Sequence, residues 1–254
     1  MKKSQFSTPG LVLVVLMLTV TACRSGQLTR SSEDNTSRIE KIYGDDNNRL
    51  TISITPGKHH NYPTFAIWAE DVYGNRIQTL FVTRSIASGY YRYGQAEEGK
   101  WLTESGEAVR PATLPYWLHK REGYNPDKPA LPSRESPLPD AYTGATPPAA
   151  ARIDIVGLDD FPDVFRLLLE VNQAWDFNEY WHNNKYPDNA DYKTSAQPSV
   201  VYAVTVNKAH GQGVYYLNPI GHGHYSGENG LLYTKLSTLT TALEIFKEIK
   251  VHYE

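Results

Sequence analysis

VFRLLLEV, residues Val164 to Val171, sets Phe165, Leu167, Leu169 and Val171 at every second position, with Arg166 and Glu170 between them. Successive side chains of an extended chain point to opposite faces. The spacing predicts a strand with one face in a core and with Arg166 and Glu170 in solvent. The same period of two appears in RLTISIT (Arg49 to Thr55), where Leu50, Ile52 and Ile54 alternate with Thr51, Ser53 and Thr55. YPTFAIWAED and RIQTLFVT flank VYGN (Val72 to Asn75), whose Gly74-Asn75 suits a hairpin turn. RIDIV, SVVYAVTV, GVYYLN and EIKVHY, between Arg152 and Tyr253, supply further strands. About seven short strands with turn signals between them predict an all-β fold, an antiparallel sandwich of the immunoglobulin or fibronectin kind.

Two stretches interrupt this pattern. Residues 85–150 carry many prolines and one helical turn at LPYWLHKR (Leu114 to Arg121), and read as a long insertion in a single domain spanning 49–254. Residues 172–198 form a second irregular region that holds Trp175, Tyr180, Trp181 and Tyr186. Near the end, Thr241 with Glu244 three residues on matches a capping box and predicts a short helix.

The chain begins with Lys2 and Lys3, an apolar run from Leu11 to Leu18, and VTAC (Val20 to Cys23). This order predicts a secretory signal over residues 1–22, the apolar run being too short for a spanning helix. VTAC resembles the lipobox of bacterial lipoproteins. That likeness implies a diacylglycerol on the Cys23 thiol, acylation of the new amino terminus, and stable seating in a lipid bilayer through several chains. The absence of aspartate at position 24, where Arg24 stands, implies the outer membrane of the cell envelope. Residues 23–48 are polar and poor in large apolar groups, and read as a tether. Cys23 is the only cysteine, so the exported chain folds without a disulfide and has no thiolate nucleophile or thiolate metal site. A net charge of -3 with both signs interspersed offers no basic stripe, which excludes nucleic acid as a partner.

AIWAEDVYGNRIQTLFVT (Ala66 to Thr83), LPYW (Leu114 to Trp117), DAYTGATPP (Asp140 to Pro148) and FRLLLEVN (Phe165 to Asn172) together resemble an uncharacterised family of bacterial secreted domains. The likeness covers about two thirds of the mature chain, as motifs joined by unmatched loops. That family has no established reaction. It is often encoded beside flavin transferases and membrane proteins of electron-transfer systems, an association that gives a direction and no mechanism.

DAYTGAT also resembles the acceptor motif of flavin transferases, in which an Asp precedes Ser or Thr, Gly, Ala and a final Thr. Those enzymes move the FMN half of FAD onto the last hydroxyl as a phosphoester. Their acceptors include FMN-binding subunits of sodium-pumping quinone reductases. Carried over, Asp140, Thr143, Gly144, Ala145 and Thr146 fill the specified positions, and Thr146 would bear the flavin. The resemblance implies a flavin transferase and a membrane redox protein as partners. Gly144 and Ala145 leave little side chain in a transferase's way, and Pro147 biases Thr146 toward an extended conformation. The same Thr-Gly-Ala-Thr-Pro-Pro is equally a good loop leading into a strand.

PIGHGHYSGENG (Pro219 to Gly230) puts His222 and His224 on one face if the preceding strand continues, a spacing suited to a metal ion. A third ligand would come from His59, His60, His182 or Glu228. The stretch also reads as a loop packed by hydrogen bonds. His59-His60 and the pairs Glu70-Asp71 and Asp159-Asp160 read as exposed turns. Trp68, Trp175 and Trp181 read as core or loop-packing groups, while a ligand platform in the loops around Trp117 and Trp181 stays open beside that reading. No G-x-S-x-G elbow, H-E-x-x-H helix or dinucleotide fingerprint is present. Two expectations follow, neither with catalytic residues: a redox carrier with FMN on Thr146, or a binding or structural module that holds a glycan or protein.

Overall fold

The alternation of apolar residues is realised as β-structure in the computed structural model, which describes residues 36–44, 48–97, 99–121, 131–133 and 143–254. The first strands are β1 (Ser37–Ile42), β2 (Arg49–Pro56), β3 (Thr64–Glu70) and β4 (Arg76–Thr83). A one-turn helix α1 (Arg84–Ser88) leads into β5 (Tyr90–Tyr91), β6 (Gln95–Glu97), β7 (Lys100–Trp101) and β8 (Gly106–Glu107). Then come α2 (Pro115–His119), β9 (Thr143–Gly144), β10 (Ala151–Val156) and β11 (Val164–Asn172). The remainder is α3 (Ala190–Ser195), β12 (Val200–Asn207), β13 (Gly213–Tyr216), β14 (Asn218–His222) and β15 (Phe246–Tyr253).

One sheet runs β1-β10-β2-β15-β13 and the other β14-β12-β11-β3-β4-β9. Their facing surfaces share one core. Leu50, Ile52, Ile153, Ile155 and Val251 of the first sheet pack with Phe65, Ile67, Leu167, Leu169 and Val200 of the second. The fold is therefore an all-β sandwich. It is not purely antiparallel as expected, because β1 pairs in parallel with β10, and β9 in parallel with β4. Both parallel pairs sit at sheet edges, where a strand arriving by a long connection is free to choose its direction.

Four local expectations are corrected. Ser37–Ile42, assigned to the tether, is a strand whose Ile39 packs against the core. A single inward apolar residue was too weak a signal against the polar remainder. Glu170 and Glu70, expected in solvent, are fully buried. The capping box does not form. Thr241 opens a 3-10 turn (Thr241–Glu244), its hydroxyl donates to Asp176 Oδ1 at 2.5 Å, and the Glu244 carboxylate pairs with Lys58 and His59.

The burial of the two glutamates has one cause. The insertion folds back over the outer face of the second sheet, where Trp68, Val82, Leu168 and Val201 meet Ile86, Leu114, Trp117 and Leu118 in a second apolar cluster. Leu167, Leu168 and Leu169 are all buried, as expected of a strand covered on both faces. Among the described residues no helix is long and apolar enough to cross a membrane. The expected signal segment and Cys23 lie outside the described residues.

Candidate functional site

Of the acceptor-like motif, Asp140 lies outside the described residues, and Thr143, Gly144, Ala145 and Thr146 are placed. Thr143 and Gly144 are not a free loop: they are β9, the edge strand, registered opposite Val82 and Thr83. Gly144 is buried, and a Cβ there would meet Phe81 Cε2 at 2.9 Å. Glycine is needed here for close approach to the Phe81 ring, a reason the sequence alone did not show. Ala145 is exposed, Thr146 is half-buried and Pro147 is buried. The Thr146 hydroxyl makes no hydrogen bond among the described residues. Thr83, opposite Gly144, holds a buried hydroxyl that has no partner there either.

Glu170, on the outer face of β11, is a fully buried carboxylate. The backbone N–H groups of Tyr116 and Trp117 donate to its carboxylate at 3.1 and 2.7 Å, and Ser199 Oγ donates at 2.5 Å. Those N–H groups belong to the first turn of α2, where helical donors lack partners of their own. Glu170 thus caps a helix that lies far away in sequence. Burial pushes its carboxyl up to about 7, against the three hydrogen bonds, which favour the charged form. Nearby, Glu70 accepts from Trp68 Nε1 at 2.8 Å and from Lys120 Nζ at 2.7 Å. Lys120 follows α2 directly, so both carboxylates pin the insertion to the sheet. Neither was singled out for this from the sequence. The available signal was the Leu167-Leu168-Leu169 run, too apolar for a strand with one wet face.

His222 ends β14 and His224 lies beyond it, both buried. His222 Nδ1 donates to the Gly223 carbonyl oxygen at 2.7 Å, while His224 Nδ1 accepts from the Ser226 N–H at 3.3 Å. His222 stacks on Tyr233, with ring centres 5.4 Å apart, and His224 tilts against Tyr225 at 4.4 Å. Burial holds both imidazoles below their ordinary pKa, more than the nearby Glu228 raises that of His224. Among the described residues no three His, Cys, Asp or Glu side chains are grouped to hold a metal ion. The two histidines flank a tightly packed loop: a Cβ on Gly223 would meet Ser199 Oγ at 2.6 Å and Glu170 Oε1 at 3.0 Å.

Trp117 and Trp181 do not present the platform expected of them. Trp117 is fully buried and donates from Nε1 to Thr79 Oγ1 at 3.2 Å. Trp181 is 6% exposed and donates to Thr238 Oγ1 at 3.2 Å. Trp117 sits in α2 and Trp181 in a loop, and both segments pack down on the sandwich, so the ring faces are covered. The aromatic rings left in solvent in the second irregular region are Trp175, Phe177 and Tyr180, at 41%, 39% and 46% exposure.

The chain matches no protein-family model, no curated protein and no solved structure.

Proposed function

We propose that the protein is an exported, lipid-anchored electron-transfer protein of the cell envelope, carrying FMN as a phosphoester on Thr146. The observation that carries this reading is the setting of the hydroxyl. It stands two residues past an edge strand fixed by Gly144, it follows an exposed Ala145, and it makes no hydrogen bond among the described residues. A transferase requires an accessible hydroxyl on a chain segment whose position is held, and an edge strand provides that. In the transfer a bond forms between Thr146 Oγ1 and the FMN phosphorus of FAD. The bond joining that phosphorus to the bridging oxygen of the pyrophosphate breaks, AMP leaves, and the hydroxyl proton passes to solvent. The attached flavin supplies one- and two-electron chemistry, and the protein supplies its position and surroundings.

Anchoring through acylated Cys23 would hold the carrier beside a membrane redox partner, and the residue at position 24 favours the outer membrane. The sandwich is read as immunoglobulin-like on its two packed sheets alone. Its strand order speaks for the class and not for that lineage.

The test is co-expression of the full chain with a flavin transferase, followed by mass analysis of the peptide containing Thr146. The expected result is an added FMN mass on that peptide, kept in Thr146→Ser and lost in Thr146→Ala. An unmodified peptide, with the transferase active on a control acceptor, overturns the reading. Separately, Cys23→Ser is expected to move the protein from the membrane fraction to the soluble fraction.

A further inference from the structure

Arg110 follows β8, and its guanidinium is surrounded by aromatic rings. Its Cζ lies 4.2 Å from the centre of Tyr91, 4.9 Å from Trp101 and 6.0 Å from Trp175. Nη2 donates to the Tyr93 carbonyl oxygen at 3.1 Å. Nε is buried and has no partner among the described residues, none of whose carboxylates comes within 4.0 Å of the guanidinium. A half-buried cation is thus held by ring faces and one carbonyl where a counter-ion would be the usual solution.

Trp175 adds an independent sign. Its φ is 59°, in the left-handed region that bulky side chains rarely adopt. Such a backbone is strained and persists only where the surroundings impose it. The surroundings do: Trp175 N–H donates to the Thr194 carbonyl, and the next residue, Asp176, bridges to Ala196. The result is an indole set against Arg110, Tyr93 (5.6 Å between ring centres) and the edge of Trp101 (6.3 Å), with much of its surface in solvent.

Beside this cluster runs a cleft of about 540 Å³. Gln95, cross-strand partner of Trp101, lines it, as do Glu97, Glu107 and Asp191. These polar groups suit the hydroxyls of a ligand, and their carboxylates oppose a polyanion.

We propose that Trp175, Trp101 and Arg110 form a binding site for an acidic saccharide, a mostly neutral chain bearing one uronate. The apolar face of the pyranose ring stacks on the Trp175 indole. The carboxylate accepts from the guanidinium, a charge-assisted bond, and ring hydroxyls meet Gln95, Glu107 and Asp191. The site owes nothing to Thr146 and stands whether or not a flavin is attached there.

The experiment titrates the full chain, followed by tryptophan fluorescence and calorimetry, with an oligosaccharide carrying one glucuronate. The matched neutral oligosaccharide and free FMN are titrated in parallel. The expected result is saturable binding of the acidic sugar, at least tenfold tighter than the neutral one. Trp175→Ala is expected to weaken both sugars tenfold or more. Arg110→Met is expected to remove the preference for the acid while leaving the neutral sugar's affinity in place. Where Trp175→Ala fails to fold, Trp175→Tyr and Arg110→Met carry the test. Equal affinity for the two sugars, binding of neither, or a preference for FMN over the uronate overturns the proposal.

Discussion

The two faces of the second sheet come from the same strands and are closed by different chemistry. The inner face, with Phe65, Ile67, Leu167 and Leu169, is apolar throughout and meets another sheet. The outer face mixes Trp68 and Leu168 with Glu70 and Glu170, and meets an irregular insertion. Sheet against sheet closes by shape, since both backbones already satisfy their own hydrogen bonds. An insertion with one-turn helices brings unpaired N–H groups, and the sheet must supply acceptors for them. The buried carboxylates are what an irregular cover requires.

Two neighbouring leucines test how firmly that cover is attached. Leu169→Ala on the inner face is expected to cost about 2–5 kcal/mol, the usual range for a buried leucine. Leu168→Ala on the outer face is expected to cost a similar amount, because the insertion excludes water there as fully as the first sheet does. Urea unfolding measures both. A Leu168→Ala cost below about 1 kcal/mol would mean that the insertion yields to fill the space, and the two faces would differ in rigidity as well as chemistry.

The next contrast is in pH dependence. The Glu170 carboxyl is pushed up to about 7 in the folded chain from an ordinary value of 4.5. Between these values the folded state holds a proton that the unfolded state has released. Stability should therefore fall as pH rises from about 4.5 to about 7, by at most about 3 kcal/mol. Thermal unfolding across that range should show the decline in the parent and a flatter profile in Glu170→Gln. An equal decline in both would place the pH dependence elsewhere.

How much of this was readable in advance depends on which face is considered. Phe165, Leu167 and Leu169 announce the inner face by their spacing, and the hairpin at Gly74 and the turn at Leu114–Arg121 were equally plain. Glu170 was misplaced because alternation assumes one wet face, and nothing local reveals that residues 53 and 54 positions away will cover the other. The strand Ser37–Ile42 was hidden for a related reason: at an edge, one inward isoleucine suffices. The residues of the Thr146 motif were legible as a pattern, whereas the half of it that forms a strand was not, since two residues carry no periodicity. Trp175 was visible only as an aromatic, because a positive φ leaves no trace in residue type outside glycine and asparagine.

The smallest expected effect lies where the two faces end, at the edge strand. A methyl group on Gly144 would stand 2.9 Å from Phe81 Cε2 and 3.7 Å from Ile39 Cδ1. Phe81 is stacked on Phe65 at 5.0 Å and has little room to withdraw. Gly144→Ala should therefore overpack the core and cost about 1–3 kcal/mol, read as a lower urea midpoint. The same variant also separates two roles of the glycine when it is co-expressed with a flavin transferase. Reduced stability with the flavin mass retained on Thr146 would make Gly144 a packing residue alone. Reduced stability together with loss of that mass would mean that the fit of β9 against Phe81 is what holds the acceptor hydroxyl in place.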